Sequence, residues 1–281
     1  MEPKQKISFS ILFVLTAISA FFLLKSIPNN SAVYFLPVGQ GDSSLIILET
    51  GEKILIDAGP SNQVQSELAK ILPTYDRYLD LLIISHGDKD HIAGFVEILE
   101  RYSVGAVIGT GRKNETEIYQ SISAKIKAKQ IPFLGLKEKD SIQIGTVKLT
   151  ILAPSEQEVF SGAQNEASLV LLLQNSTYNI LYTGDIGEAV EKRIAQDYPN
   201  LHVQVLKVAH HGSRFSSSEE FLANFHPEVA VISVGQNNYG HPAPETLARI
   251  RKYTANIFQT SNQQIVKIEA DQKGLRVLTT Q

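Results

Sequence analysis

Four side chains of metal-binding type, His86, Asp88, Asp90 and His91, fall within six consecutive positions of this chain. Two imidazoles and two carboxylates suit a borderline or hard divalent cation such as zinc, manganese or iron. In an extended turn His86 and Asp88 point to one side. Asp90 and His91 are adjacent and point apart, so they can address a second ion. A solvated polar loop accounts for one such histidine far better than for four ligand types in this order. The chain has no cysteine, which excludes disulfides, thiolate-held zinc and a thiol nucleophile, and leaves nitrogen and oxygen donors for any metal.

The elements around this turn must position it. Residues 79–84 form an apolar run with a single acid, Asp80, which reads as a strand buried on both faces. Behind the turn, apolar residues at helical spacing start a helix near His91. Earlier, 32–38, 43–49 and 52–60 read as strands, with a two-glycine turn GQGD at 39–42 and a helix over 61–72. Later, 106–110 is a strand entering a glycine-bearing loop, TGR at 110–112, and 115–130 an amphipathic helix with a basic end that complements its dipole. Strands follow at 131–135, 141–145, 147–153, 168–174 and 178–183. Beyond them come a helix (187–198), a strand (202–210), a helix capped by Ser217 or Ser218 (217–225), a strand (228–235), a helix (243–254) and two closing strands. Strands in runs separated by single helices fit two sheets covered by helices. GQGD and TGR are weak as phosphate cradles, since neither matches a P-loop. His202, opening a strand, and His226, before Pro227, read as structural.

SHGDKDHIAG at 85–94 resembles the HxHxDH motif of the metallo-β-lactamase superfamily, with Asp88 at the second histidine position. The HxDxDH form is similar to the nuclease-like domain of ComEC-type DNA-uptake proteins and their free-standing relatives. The resemblance spans about residues 32–260. Its other blocks are VGQGDSSLI, ILIDAG, NEASLVLLL, LYTGD, LKVAHHGS and NNYGHPAPETL. It implies an αββα sandwich: two mixed β-sheets with helices on the outer faces and a metal site where the loops of both sheets meet.

It also implies roles. His86, Asp88, Asp90 and His91 become metal ligands, Asp185 at the end of LYTGD bridges two ions, and Asp57 supports the metal loop without being a ligand. A metal-bound histidine commonly donates its other N–H to such a carboxylate. One of the adjacent pair His210 and His211 is a ligand, with His210 preferred and His211 left to contact substrate phosphate beside Ser213. His241 either competes for the second metal or acts as general acid near the leaving group. Asp90 also orients the attacking hydroxide. The histidine that many members carry between the core motif and the bridging Asp is absent, because His91 is the last histidine before Asp185. Asn165 or Ser168 stands in that block, as a substrate-phosphate contact or a weak completion of the site. The first ion would then have an oxygen-rich set that favours Mn²⁺ or labile Zn²⁺.

The expected cofactor is two divalent ions, Zn²⁺ or Mn²⁺, and the expected activity is hydrolysis of phosphodiesters, single-stranded DNA first. Hydrolysis of small or envelope-linked esters such as phosphocholine is a second reading, and a non-catalytic binding domain a third. At 281 residues, 43% hydrophobic and 20% charged, the chain is an ordinary globular one. A net charge of -3 argues against a strongly basic nucleic-acid surface, though not against a local basic strip. Residues 7–24 carry no charge, just long enough for a membrane-spanning helix, and follow Lys4 and Lys6. That divides the chain into a cytoplasmic N-terminus (1–6), an anchor or cleaved signal segment (7–27) and the hydrolase domain (28–281). The positive-inside rule puts the domain outside the cytoplasm, against the contrary vote of Lys25. One span makes no pore, so DNA uptake would need a separate channel partner.

Overall fold

The computed structural model describes residues 31–161, 163–261, 264–271 and 274–280. The apolar run at 7–24 lies outside the described residues. Among the described residues no helix is long and apolar enough to cross a membrane.

Fifteen described strands form two sheets. The first holds β1 (Ala32–Phe35), β2 (Ser44–Ile47), β3 (Lys53–Ile56), β4 (Tyr78–Ile83), β5 (Ser103–Gly109), β6 (Phe133–Gly135), β14 (Ile265–Asp271) and β15 (Gly274–Thr280), in the order β15-β14-β1-β2-β3-β4-β5-β6. The second holds β7 (Ser141–Ile144), β8 (Val147–Ala153), β9 (Val170–Gln174), β10 (Asn179–Tyr182), β11 (Val205–Lys207), β12 (Val229–Ile232) and β13 (Asn256–Gln259), in the order β13-β12-β11-β10-β9-β8-β7. Both are mixed: β3 to β6 and β10 to β13 run parallel, the remaining neighbours antiparallel.

Strand alternation distributes the apolar side chains into three cores. In β4, Leu81 and Ile83 enter the layer between the sheets, whereas Leu79 and Leu82 face the helices. In β10, Ile180 and Tyr182 point to the inter-sheet layer and Leu181 to the other side. There Phe35 and Tyr182 stack with centroids 5.8 Å apart, one from each sheet. The first sheet is covered by α1 (Gln63–Ile71), α2 (Lys89–Ile92), α3 (Phe95–Arg101) and α4 (Glu117–Ala128). The second is covered by α6 (Glu188–Asp197), α7 (Glu219–Phe225) and α8 (Pro244–Arg251), while the short α5 (Glu156–Ser161) precedes β9. Each fully buried Leu, Ile or Phe contributes about 1.5–3 kcal/mol, so burial on both faces of both sheets fixes the αββα stack. The expected sandwich is what the chain forms.

Local differences from the sequence reading have physical causes. Asp80, the acid in the apolar run, accepts the Lys53 N–H at 2.8 Å and so satisfies a backbone donor of β3. The helix expected near His91 begins at Lys89 and divides at Gly94, where an added Cβ would lie 2.1 Å from the Ala58 carbonyl. The strand expected over 202–210 is confined to β11, because His210 and His211 both take left-handed backbone with φ near 50°. Ser218, not Ser217, caps α7 by accepting the Phe221 N–H at 3.3 Å. Three strands, not two, close the chain, since 256–259 pairs with β12 before the β14–β15 hairpin.

Candidate metal centre

Loops at one edge of the sandwich bring together residues from both sheets. Asp42 follows β1, Asp57 ends β3, and His86 to His91 follow β4. Asp185 follows β10, and His210 and His211 follow β11. The backbone is closely fitted here. A Cβ on Gly41 would lie 2.2 Å from the Asp90 carbonyl, and the Asp42 N–H donates to that same carbonyl at 3.2 Å. Gly184 takes φ +51°, packs on Ser168, and accepts the His210 N–H at 3.1 Å.

Asp90, His91, Asp185 and His211 form the innermost group, each offering a ligand atom within 4.8 Å of the others. His91 Nε2 is 3.3 Å from Asp185 Oδ1, and His211 Nε2 is 3.3 Å from Asp90 Oδ2 and 3.6 Å from Asp185 Oδ2. Asp90 and His91 therefore converge, contrary to the extended-turn expectation, because both sit on the single turn of α2. An outer group lies against the same carboxylate. His86 Nε2 is 3.6 Å from Asp88 Oδ2 and 4.0 Å from Asp185 Oδ2, and His210 Nε2 is 3.8 Å from Asp185 Oδ2. Of the adjacent histidines it is thus His211 that joins the inner group, while His210, one-third exposed, stands with His86 and Asp88.

The tautomers are set from behind. Asp57 accepts from Ser85 N–H at 2.9 Å and Ser85 Oγ–H at 2.7 Å, and its Oδ2 meets His91 Nδ1 at 2.9 Å. His211 Nδ1 donates to the Ser233 carbonyl at 2.9 Å, with Asp42 Oδ1 at 3.3 Å. With both Nδ1 atoms engaged, both Nε2 lone pairs face the inner group. Asp42 in turn pairs with the buried ammonium of Lys207.

Burial alone would suppress these charges. For Asp185, burial is outweighed by His91 and His211, which hold the carboxyl well below its usual range; Asp90 is lowered in the same way. Burial also opposes the charged form of His91, but Asp185, Asp42 and Asp57 raise it well above the ordinary value, and His211 is raised to about 9 by Asp185 and Asp42. Four buried polar atoms, His86 Nε2, His91 Nε2, His211 Nε2 and Asp185 Oδ1, have no hydrogen-bond partner. Orphaned nitrogen and oxygen donors facing one another over 3–4 Å fit divalent cations: each would otherwise cost the desolvation of an unsatisfied polar group.

The remaining sequence candidates fall elsewhere. Ser168 is fully buried and its hydroxyl oxygen accepts the Asp185 N–H at 3.3 Å, so it supports the Asp185 loop and is closed to substrate. Ser213 is also buried; its hydroxyl oxygen accepts the Phe215 N–H and its backbone carbonyl accepts from the Ser216 and Thr246 hydroxyls, so it ties the turn after His211 to α8. Asn165 lies half-buried in the single turn Asn165–Ala167. His241 is half-buried at the rim, its ring 5.6 Å from His210 and 5.9 Å from exposed Tyr239; burial and His210 lower its pKa. His202 is exposed and His226 ends α7 in left-handed backbone. Asp42 and Lys207 were missed as site residues. The available signal was Lys207 itself, a lone charge inside the apolar run VQVLKVA.

The profile of the "Metallo-beta-lactamase superfamily" matches residues 36–236. The chain is 27% identical over 264 residues to "ComE operon protein 3" of Bacillus subtilis, covering 87% of this chain and 34% of that protein. It is 30% identical over 247 residues to "Recombination protein 2" of Haemophilus influenzae (86% and 29%) and 31% identical over 235 residues to "Competence protein ComA" of Neisseria gonorrhoeae (83% and 31%). The chain thus spans about a third of the length of these curated relatives, whose names agree with the ComEC-type resemblance of its motifs. Among solved structures, the metallo-beta-lactamase fold protein YhfI of Bacillus subtilis matches with TM-score 0.57 at 11% identity, over 85% of this chain and 99% of that one. Zn²⁺-bound PqqB of Methylobacterium extorquens matches with TM-score 0.56 at 12% identity (83% and 99%). These structures share the fold, and a profile match over most of the chain settles the family: this protein belongs to the metallo-beta-lactamase superfamily, whose members are generally metal-dependent hydrolases.

Proposed function

We propose that the chain is a metal-dependent phosphodiesterase acting on DNA. The observation that carries this reading is the position of Asp185, a buried carboxylate whose Oδ1 faces His91 and whose Oδ2 faces His211, His210 and His86. One carboxylate between two groups of nitrogen and oxygen donors is the arrangement a pair of divalent cations requires. Asp90, His91 and His211 would hold one, His86, Asp88 and His210 the other, with Asp185 shared. His210 gives the outer group a second imidazole, so this group is less oxygen-rich than the sequence reading implied.

Bound there, divalent cations supply a water of lowered pKa and neutralise charge on the phosphoryl oxygens. The chain's own residues do the rest. Asp57 and the Ser233 carbonyl orient the imidazoles, and Asp90, the least buried of the inner group, is placed to accept a hydrogen bond from the attacking water. His241 stands at the rim, where it can give a proton to a leaving oxygen. The names of the curated relatives, competence and recombination, direct the substrate towards DNA. The uncharged segment 7–24 is proposed as an anchor holding this domain outside the cytoplasm.

A hydrolysis screen tests the reading: the full chain with Mn²⁺ or with Zn²⁺, against single-stranded DNA and p-nitrophenylphosphocholine, with Asp185→Ala as control. Cleavage of DNA that is lost in the variant supports the proposal. Cleavage of the choline ester alone replaces it with the small-ester reading, and inactivity towards both rejects it.

A further inference from the structure

Next to the outer donor group, the surface opens into an apolar groove of about 300 Å³ between α4 and the edge strand β6. Its walls include Ile84, Tyr119, Ile122, Lys127 and Phe133. Ile84, Tyr119 and Phe133 also line the narrow cleft that runs to His86 past Gly109 and Arg112. These shared walls place the groove beside the candidate metal centre.

Three features define what fits it. The first is an open aromatic face: Phe133 is 42% exposed and is seated over Gly109, where an added Cβ would lie 3.2 Å from its ring. The second is charge. Arg112 donates to the Val159 and Glu158 carbonyls, and neither it, Lys113 nor Lys127 forms an ion pair among the described residues. Among the described residues no carboxylate lines the groove or the cleft. The third is size, enough for one flat ring system and its sugar, in a concavity that a base held in a duplex does not enter.

We propose that this groove seats an unpaired nucleobase flanking the scissile phosphate, with Phe133 as its stacking surface and Arg112 and Lys127 as the cations that track the backbone. Stacking on an aromatic face beside basic side chains is how sequence-tolerant single-strand binding works. The same cations disfavour a quaternary ammonium group, which prefers an aromatic site without positive charge. The inference rests on the phosphodiesterase reading and specifies where its substrate lies. It also reconciles a chain of net charge -3 with an anionic substrate, because the local basic strip stands where the strand passes.

The test uses two esters with one leaving group, thymidine 5′-(p-nitrophenyl phosphate) and methyl p-nitrophenyl phosphate, and the full chain carrying Phe133→Ala, Phe133→Tyr or Lys127→Glu. Binding of a fluorescent oligothymidylate, and of the same oligomer with abasic sites, is measured in parallel. Phe133→Ala is expected to lose about tenfold in kcat/KM on the thymidine ester and about tenfold in oligothymidylate affinity. The methyl ester, which has no base to stack, should lose much less than the thymidine ester, and Phe133→Tyr should restore the loss. Lys127→Glu should weaken the oligomer and reduce the salt dependence of its binding. Equal losses on both esters would make Phe133 merely structural and overturn the inference, as would oligomer affinity that ignores both the bases and Phe133. Inactivity of the wild type on both esters would sink the phosphodiesterase reading alone. Base-dependent binding through Phe133 would still support the groove, and absence of binding would remove it too.

Discussion

Lys207 and Asp42 form an ion pair directly behind the candidate metal centre, with side chains only 3% and 8% exposed. Asp42 Oδ1 reaches His211 Nδ1 at 3.3 Å and Oδ2 reaches His91 Nδ1 at 3.8 Å. One ammonium, brought by β11, thus balances a carboxylate that touches both inner histidines. Removing one partner of a buried pair leaves the other charge uncompensated, at a cost of about 3–5 kcal/mol. Lys207→Met is expected to destabilise the fold by that amount in urea denaturation. Lys207→Met combined with Asp42→Asn should recover a large part of it. A double variant as unstable as the single one would show that the pair is not the source of the loss.

Asp185→Ala should abolish hydrolysis and reduce bound metal from two ions per chain to one or none, because the two donor groups share this carboxylate. Elemental analysis after dialysis, beside an activity assay, checks this. Normal turnover with two metals retained would refute the bridging role.

The adjacent histidines should part company. His211→Ala removes an inner donor that is almost fully buried, and His210→Ala an outer one that is one-third exposed. Calorimetric titration should show the tighter of two binding events lost in the first variant and the weaker one in the second. Loss of the same event in both would mean that the two histidines serve one ion.

How much of this was legible beforehand differs by level. Two helix-covered sheets were readable in the runs of strands separated by single helices, and the resemblance implied the αββα order; β4 read as a strand despite Asp80 because Leu79, Leu81, Leu82 and Ile83 are apolar and buried on both faces. The candidate metal turn was readable because four donor side chains lie within six residues. The roles of His210 and His211 were not, since neighbours in sequence are separated only by backbone geometry, here two successive left-handed residues. Ser168 read as an open hydroxyl because the Asp185 N–H that its oxygen accepts is 17 residues away and invisible locally. Asp42 hid in a turn whose glycines were weighed as a phosphate cradle, whereas Gly41 serves close approach to α2.

Stability should depend on pH in opposite senses with and without metal. In chelator, the folded His211 pKa of about 9 lies above its unfolded value near 6.5. Its contribution is therefore fully present below about pH 6.5 and lost as pH rises through 9. Asp185 is depressed, so its contribution is present above about pH 4 and lost on acidification. Metal-free chain should thus melt highest between roughly pH 4 and 6.5 and lower at pH 9. With Zn²⁺ or Mn²⁺ the cation competes with protons for the same nitrogens, and the midpoint shift it produces should grow from pH 5.5 to 8. Differential scanning at these pH values decides; a metal-induced shift that shrinks with rising pH would contradict this donor set.

Asp57 and His91 are delivered by one sheet, Asp185 and His211 by the other, and the layer between them contains the Phe35–Tyr182 stack. The spacing of the donors therefore records the spacing of the two halves of the molecule. A side chain changed deep in that layer, touching nothing at the rim, would alter the bite of the site before it unfolded the chain. Conversely, a ligand closing on all the donors would clamp segments more than a hundred positions apart in the chain. Catalytic fitness and the mating of the sheets are one property here, and selection on either constrains both.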